Sequence, residues 1–267
     1  MKRVSSPEAE PELFAAFRSE NPDGSWKRKR GSGRAAFKDV EGNHVVFDTL
    51  ASAQGHICAY CEIEVSRPML GQVEHFVSED FNDGIGNYAL DFDNLLACCE
   101  GGTRVDLDNG RAEPPIRDTL HCGQLKDSGK TTHDPRGDLL DPRSLPGTPL
   151  IWRFGSDGSM SVDTAACVRA AVRQEVAQTT IERLGLDRRV LRRLRGAVRD
   201  QLESEFELLI KEDGLDDEAA LERVATDQLV PQEGRLPGFW STIRHWAGDA
   251  AERVLERHGD TIPGMLT

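Results

Sequence analysis

The sequence has no apolar run near the roughly 20 residues that a bilayer-spanning helix needs. Met1 to Glu10 holds no apolar core of the secretory-leader kind. Both absences point to a cytoplasmic chain without membrane contact. A Gly-x-x-x-x-Gly-Lys-Ser/Thr loop is missing too, so any ATP-dependent control must come from another chain. Positive charge is in deficit: 33 Lys and Arg against 46 Asp and Glu leave −13. That excludes a simple polycationic nucleic-acid binder. Phosphate contact is left to local basic patches, and a basic protein partner would suit the same excess. Hydrophobic residues make up only 38% of the 267 and charged ones 30%, so several helices must carry solvated faces around a folded core. A complete second C-x-x-C pair is also absent.

What is present is a concentration of cysteine. Five of the six cysteines, Cys58, Cys61, Cys98, Cys99 and Cys122, fall within 65 residues. In a reducing compartment they are not expected to pair as disulfides. The sixth, Cys167, lies on an expected helix as a core residue. Cys58-Ala-Tyr-Cys61 has the spacing that lets two thiolates of one tight turn reach one ion. Zn²⁺ prefers four such ligands in a tetrahedron. Cys122 offers a third sulfur, and Cys98 or Cys99 the fourth, across a split second knuckle. The alternative, free buried cysteines, fits poorly with polar, Gly-rich surroundings that offer little apolar cover.

The chain reads as three stretches. Residues 1–54 are a polar N-terminal segment with lead-in helices, Pro11 to Ser19 and Phe47 to Gln54. It includes the basic cluster Lys27, Arg28, Lys29, Arg30 and Arg34, a solvated loop or a phosphate contact. Residues 55–145 are irregular, as expected of a segment held together by metal. Residues 146–267 open with a β-hairpin, Leu150 to Phe154 and Ser159 to Val162 around Gly155-Ser-Asp-Gly158. Helices follow: one from a Thr164 cap to Gly185, one capped by Asp187, one over Asp216 to Leu229 and one over Phe239 to His258. Arg188, Arg192, Arg195 and Arg199 share one face of the second of these. That stripe could bind phosphates or an acidic surface, or pair with neighbouring carboxylates. Trp240 and Trp246 are expected in the core or at an interface.

Inside the cysteine frame lie Glu74, His75 and Asn94. Phosphodiester hydrolysis needs a base to deprotonate water and an electrophile to neutralise charge on the phosphate. An imidazole suits the first task. Glu74 and Asn94 carry hard oxygens that suit Mg²⁺ or Mn²⁺. A Glu-His dipeptide alone says little. Its position between the two halves of the cysteine frame gives it weight, because one zinc would draw the intervening segments together.

Five runs occur in order: Cys58-Ala-Tyr-Cys-Glu62, Val73-Glu-His-Phe76, Asn94-Leu-Leu-Ala-Cys-Cys99, His121-Cys-Gly-Gln-Leu-Lys126 and Leu139-Leu-Asp-Pro142. With Trp152-Arg-Phe154 and Thr180-Ile-Glu-Arg-Leu-Gly-Leu186, they resemble the HNH endonucleases that accompany retrons and Septu anti-phage systems, the PtuB-like group. The resemblance covers about residues 45–200. It implies an α+β fold: a ββα-metal (HNH) core with a zinc knuckle, followed by a mainly α-helical C-terminal region.

It further implies His75 as general base and Asn94 as the residue that positions that base or binds the metal. Glu74 becomes a ligand of a catalytic Mg²⁺ or Mn²⁺, and Cys99, rather than Cys98, the knuckle cysteine beside Cys58, Cys61 and Cys122 on structural Zn²⁺. The expected substrate is nucleic acid, DNA in the first instance. The expected partner is an ABC/SMC-like ATPase, in some systems with a reverse transcriptase and its RNA–DNA product. The third HNH position departs from the pattern. Gly123 and Gln124 stand there, leaving His121 or His133 as substitutes. That departure supports the competing reading, a zinc-stabilised adaptor with a degenerate nuclease core.

Overall fold

The computed structural model describes residues 1–26, 44–65, 71–102, 119–128 and 134–265. The basic cluster Lys27 to Arg34 and His133 lie outside them. The described residues form a mixed fold of helices with two small antiparallel sheets. No helix among them is long and apolar enough to cross a membrane.

The first half begins with α1 (Glu12–Glu20) and α2 (Val45–Ala53). Phe14 of α1 is buried while Leu13 is 44% exposed, so only part of the expected apolar side meets the core. Helix α2 buries Val46, Phe47, Leu50 and Ala51. Phe47 lies over the first residue of β1 (Gly71–His75), where a Cβ on Gly71 would stand 2.2 Å from its ring. Glycine is what lets that helix close on the hairpin. Strand β1 pairs antiparallel with β2 (Leu95–Cys99), with Glu74 opposite Leu96 and His75 opposite Leu95. All five residues of β2 are buried, so the sheet sits inside the first apolar core. Helix α3 (Cys122–Lys126) contacts β2.

The second half starts with the expected hairpin, β3 (Trp152–Phe154) and β4 (Met160–Val162). The expected single helix from Thr164 to Gly185 is instead two, α4 (Thr164–Arg169) and α5 (Gln174–Arg183). The cap is Asp163, whose carboxylate accepts from Ala166 N. The chain leaves α4 through Ala171 in the left-handed region (φ 53°), with Val172 N returning to Cys167 O. Cys167 is buried on α4, whereas Val168 is 76% exposed. Helix α6 (Arg189–Lys211) is capped by Arg188 without a side-chain bond. Asp187 is not the cap, because its carboxylate is drawn to Arg192 and to Met160 N. Asp216 does cap α7 (Asp217–Leu229), accepting from Ala219 N. The expected final helix is broken at Gly248 (φ 55°) into α8 (Trp240–Ala247) and α9 (Asp249–His258). Residues of α6, α7, α8 and α9 form a second apolar core around Leu202, Val224, Trp240 and Val254. Val198 of α6 packs against both cores. Trp240 is buried and donates to Leu229 O, while Trp246 sets its ring edge-on to Phe206.

Candidate functional site

The C-x-x-C segment is the tip of a small hairpin. Cys58 N bonds Ile63 O, Glu62 N bonds Cys58 O and Val65 N bonds His56 O. Glu62, just after the second thiol, takes φ 66° to turn the chain back. Gln54, at the end of α2, fixes this tip to the sheet. Its amide nitrogen donates to Ile57 O and Ala97 O, and its oxygen accepts from Ala97 N. No sequence pattern singled Gln54 out. The second half of the frame closes on itself. Gly101 (φ 58°) and Gly102 (φ 79°) would place a Cβ 2.4 Å from His121 O and 2.2 Å from Thr119 O. Only glycine admits so close a return of the chain after the long excursion between Cys99 and Cys122.

These turns bring the sulfurs of Cys58, Cys61, Cys99 and Cys122 within 4.8 Å of one another, all buried. Cys58 and Cys122 are 3.9 Å apart, Cys61 and Cys99 3.6 Å. A tetrahedron with Zn–S bonds of about 2.3 Å has edges of about 3.8 Å. The donor set and its spacing therefore fit a metal such as zinc. Burial alone would raise every thiol. Sulfur-to-sulfur hydrogen bonds outweigh it for Cys58, held well below its ordinary value, and for Cys61, lowered to about 7. Cys99 and Cys122 stay well above theirs. Cys98 is not in the sulfur group. Successive strand residues point to opposite faces, and burial pushes its thiol up. His121 also turns to this cluster, its Nδ1 3.2 Å from Cys122 Sγ and 3.8 Å from Cys99 Sγ. It therefore stands beside the four-sulfur cluster.

The same alternation separates Glu74 from His75. His75 Nε2 lies 3.1 Å from Ala89 O, and the ring meets Trp26 edge-to-face at 5.3 Å. Glu74 faces the other way, onto α3. Its Oε1 is 2.8 Å from Lys126 Nζ, and a Cβ on Gly123 would stand 2.0 Å from its Oε2. Burial pushes the Glu74 carboxyl up to about 7, against the pull of Lys126. Lys126, which burial alone would lower, is raised overall by Glu74 and Asp127. Its ammonium also donates to the carbonyls of His75 and Phe76. Lys126 closes the His121–Lys126 run. Its signal was the spacing: four residues after Cys122, it shares that ligand's helix face.

Asn94 is committed to backbone. Its Oδ1 accepts from Val77 N at 2.8 Å, and its Nδ2 donates to Val77 O at 2.8 Å and Tyr88 O at 2.9 Å. Of the two roles expected of Asn94, these bonds suit the positioning one, because they hold both ends of the connection that carries Ala89 to His75. Glu74 thus has an ammonium at Oε1, and Asn94 Oδ1 has one of its two lone pairs engaged.

The arginine stripe is divided between surface pairs and the core. Arg192 pairs with Asp187 and Arg199 with Glu203, while Arg195 is in the core.

The chain is similar to an Escherichia coli protein named "Retron Ec83 putative HNH endonuclease", 32% identical over 162 residues. The match covers 58% of this chain, which spans 58% of that relative's length. No protein-family model matches the chain, and no solved structure matches it.

Proposed function

We propose that the chain is an HNH-type endonuclease that hydrolyses phosphodiester bonds, DNA first among the candidates, on a ββα core clasped by zinc. The observation that supports this best is the way His75 is held. A carbonyl oxygen can only accept, so Nε2 facing Ala89 O carries the proton. The lone pair of the neutral ring then falls on Nδ1, the general base. The Ala89 carbonyl also makes the ring more basic, as an orienting partner does. Nδ1 takes a proton from water, the oxygen attacks phosphorus, the P–O3′ bond breaks, the 3′ oxygen takes a proton from solvent, and the imidazolium returns its proton to solvent. Asn94 sets the loop that carries Ala89. Lys126 sets the backbone of His75. Zinc on Cys58, Cys61, Cys99 and Cys122 would hold the knuckle, β2 and α3 in register and supply no chemistry of its own. The relative's name places that protein in a retron. By extension, this chain works in anti-phage defence with an ATPase partner, beside a reverse transcriptase and its RNA–DNA product.

The test is cleavage of plasmid by the zinc-loaded protein, alone and with partner, in Mg²⁺ or Mn²⁺. His75→Ala must abolish it. Cutting by His75→Ala at the parental rate rejects the mechanism.

A second reading has its own observation. Lys126 neutralises Glu74, and Gly123 offers no side chain beside it. A zinc-stabilised adaptor with a degenerate nuclease core would look the same there. It would bind its partner and cut nothing across metals and substrates.

A further inference from the structure

The connection between β1 and β2 carries Ala89, whose carbonyl oxygen lies 3.1 Å from His75 Nε2. Asn94 grips the main chain of this connection at Val77 and at Tyr88, the residue before Ala89. The side chain of Tyr88 is gripped separately. Its hydroxyl donates to Asp83 Oδ2 at 2.7 Å, and Arg136 Nη2 donates to the same oxygen at 3.0 Å. The Arg136 guanidinium lies over the Tyr88 ring at 5.2 Å and over the Phe81 ring at 6.0 Å. Its Nε donates to Asp134 Oδ1 at 2.8 Å, so the fork is already aimed where it meets the loop. The turn that presents it is fixed to the second half of the fold. Gly137 O accepts from Nη2 of Arg173, the cap of α5, at 2.7 Å. Leu140 N donates to Oγ1 of Thr180 on α5 at 2.9 Å. Arg136 therefore carries a fixed point from α5 to the residue next to Ala89.

The side chain of Arg136 is 46% exposed, and exposed ion pairs add little to stability. What this one supplies is geometry. A planar fork that stacks on rings and brackets two carboxylates holds one orientation, which a flexible ammonium would not. The Asp83 carboxyl is held down to about 2, first by the Tyr88 hydroxyl and then by Ile85 N and Arg136, against a smaller effect of burial. The clasp thus keeps its charge at neutral and alkaline pH. We infer that Arg136, through Tyr88 and Asp83, is a positioning residue for His75: it fixes the loop on which the Ala89 carbonyl sits and so keeps the ring proton on Nε2. It touches no substrate. The inference rests on the reading of His75 as general base and deepens it, by tying the state of that base to a side chain from beyond the cysteine frame.

The experiment is long-range proton–nitrogen NMR of the zinc-loaded, full-length chain with labelled histidine, at alkaline pH where the ring is neutral. His75 is assigned by its loss in His75→Ala, and plasmid cleavage is measured alongside. The variants are Arg136→Ala, Asp83→Ala, Tyr88→Phe and Arg136→Ala/Asp83→Ala. Arg223→Ala, which breaks an exposed pair on α7, is the control. Circular dichroism checks the folding of each. Wild type and Arg223→Ala are expected to show one His75 tautomer, with the proton on Nε2. Arg136→Ala and Asp83→Ala should give a mixture of tautomers and lower kcat by about 10- to 100-fold with KM little changed, as misplacement of a reacting group does. The double variant should be no worse than the poorer single one, because both act on one clasp. An unchanged tautomer in a folded Arg136→Ala overturns the proposal, even where cleavage falls. So do additive losses in the double variant, or the same mixture in Arg223→Ala. Should Arg136→Ala not fold, Tyr88→Phe decides by the same readout. A wild-type chain with the proton on Nδ1 rejects the reading of His75 as base. A wild type that cuts nothing across metals and substrates rejects the nuclease reading, while the tautomer of Arg136→Ala still decides whether Arg136 positions the ring.

Discussion

Glu74 and Lys126 form a buried ion pair, Oε1 to Nζ 2.8 Å, that ties the end of β1 to the last turn of α3. One end of that helix is Cys122, a member of the four-sulfur cluster. The other end grips the backbone of the candidate base. Removing one partner of a buried pair typically costs about 3–5 kcal/mol, because the other charge is left uncompensated. Lys126→Met is therefore expected to lower stability by about that amount. The double variant Glu74→Gln/Lys126→Met should recover part of the loss. Urea unfolding of the four-member cycle checks it, and additive single effects would contradict the coupling.

Asn94 separates a loop-holding role from a ligand role. Its amide donates to two carbonyls, and aspartate cannot donate. Asn94→Asp is expected to destabilise at least as much as Asn94→Ala, by about 2–4 kcal/mol from unsatisfied buried groups. A metal ligand would tolerate aspartate, and its affinity for Mg²⁺ would rise. Thermal unfolding of both variants, with and without Mg²⁺, distinguishes the two.

Much of this was legible in the sequence, and the losses have identifiable causes. The C-x-x-C spacing, with Cys99 and Cys122, marked the four sulfurs that the fold brings together. Asp216 was read as the start of its helix, and the structure makes it the cap one residue before. Asp187 was misjudged because Arg192 and Met160 N, one of them distant in the chain, outbid its own helix. Val168, Val172 and Val176 kept helical spacing across a break whose only sign is an alanine at positive φ. Asn94 was left between two roles, because residue type gives the donors and acceptors but not which partners fold against them. Arg195 looked like its exposed neighbours for the same reason. Periodicity places a side chain on a face and does not say which part of that face a hairpin will cover.

Gly123 has no room for a side chain against Glu74. Gly123→Ala is expected to displace the carboxylate from Lys126 at a cost of about 1–3 kcal/mol, the range for overpacking. Equilibrium unfolding measures the cost. An unchanged midpoint would show that Glu74 can sit elsewhere at no penalty.

Zinc uptake should release protons. Cys99 and Cys122 hold theirs well above neutral pH in the metal-free protein, so at pH 7.5 at least those two must be displaced. Binding therefore weakens as pH falls, because protons compete for sulfur, and the loss steepens below the region near 7 where Cys61 also protonates. Calorimetry in buffers of different ionisation enthalpy gives the proton count. Uptake without proton release would contradict the ligand set.

The clasp itself is most directly read by X-ray absorption at the zinc edge of the purified protein. The expected spectrum has four sulfur neighbours at about 2.3 Å and no nitrogen or oxygen in the inner shell. A shell containing imidazole nitrogen, which would bring in His121 in place of a cysteine, or a preparation with no bound zinc, would contradict it.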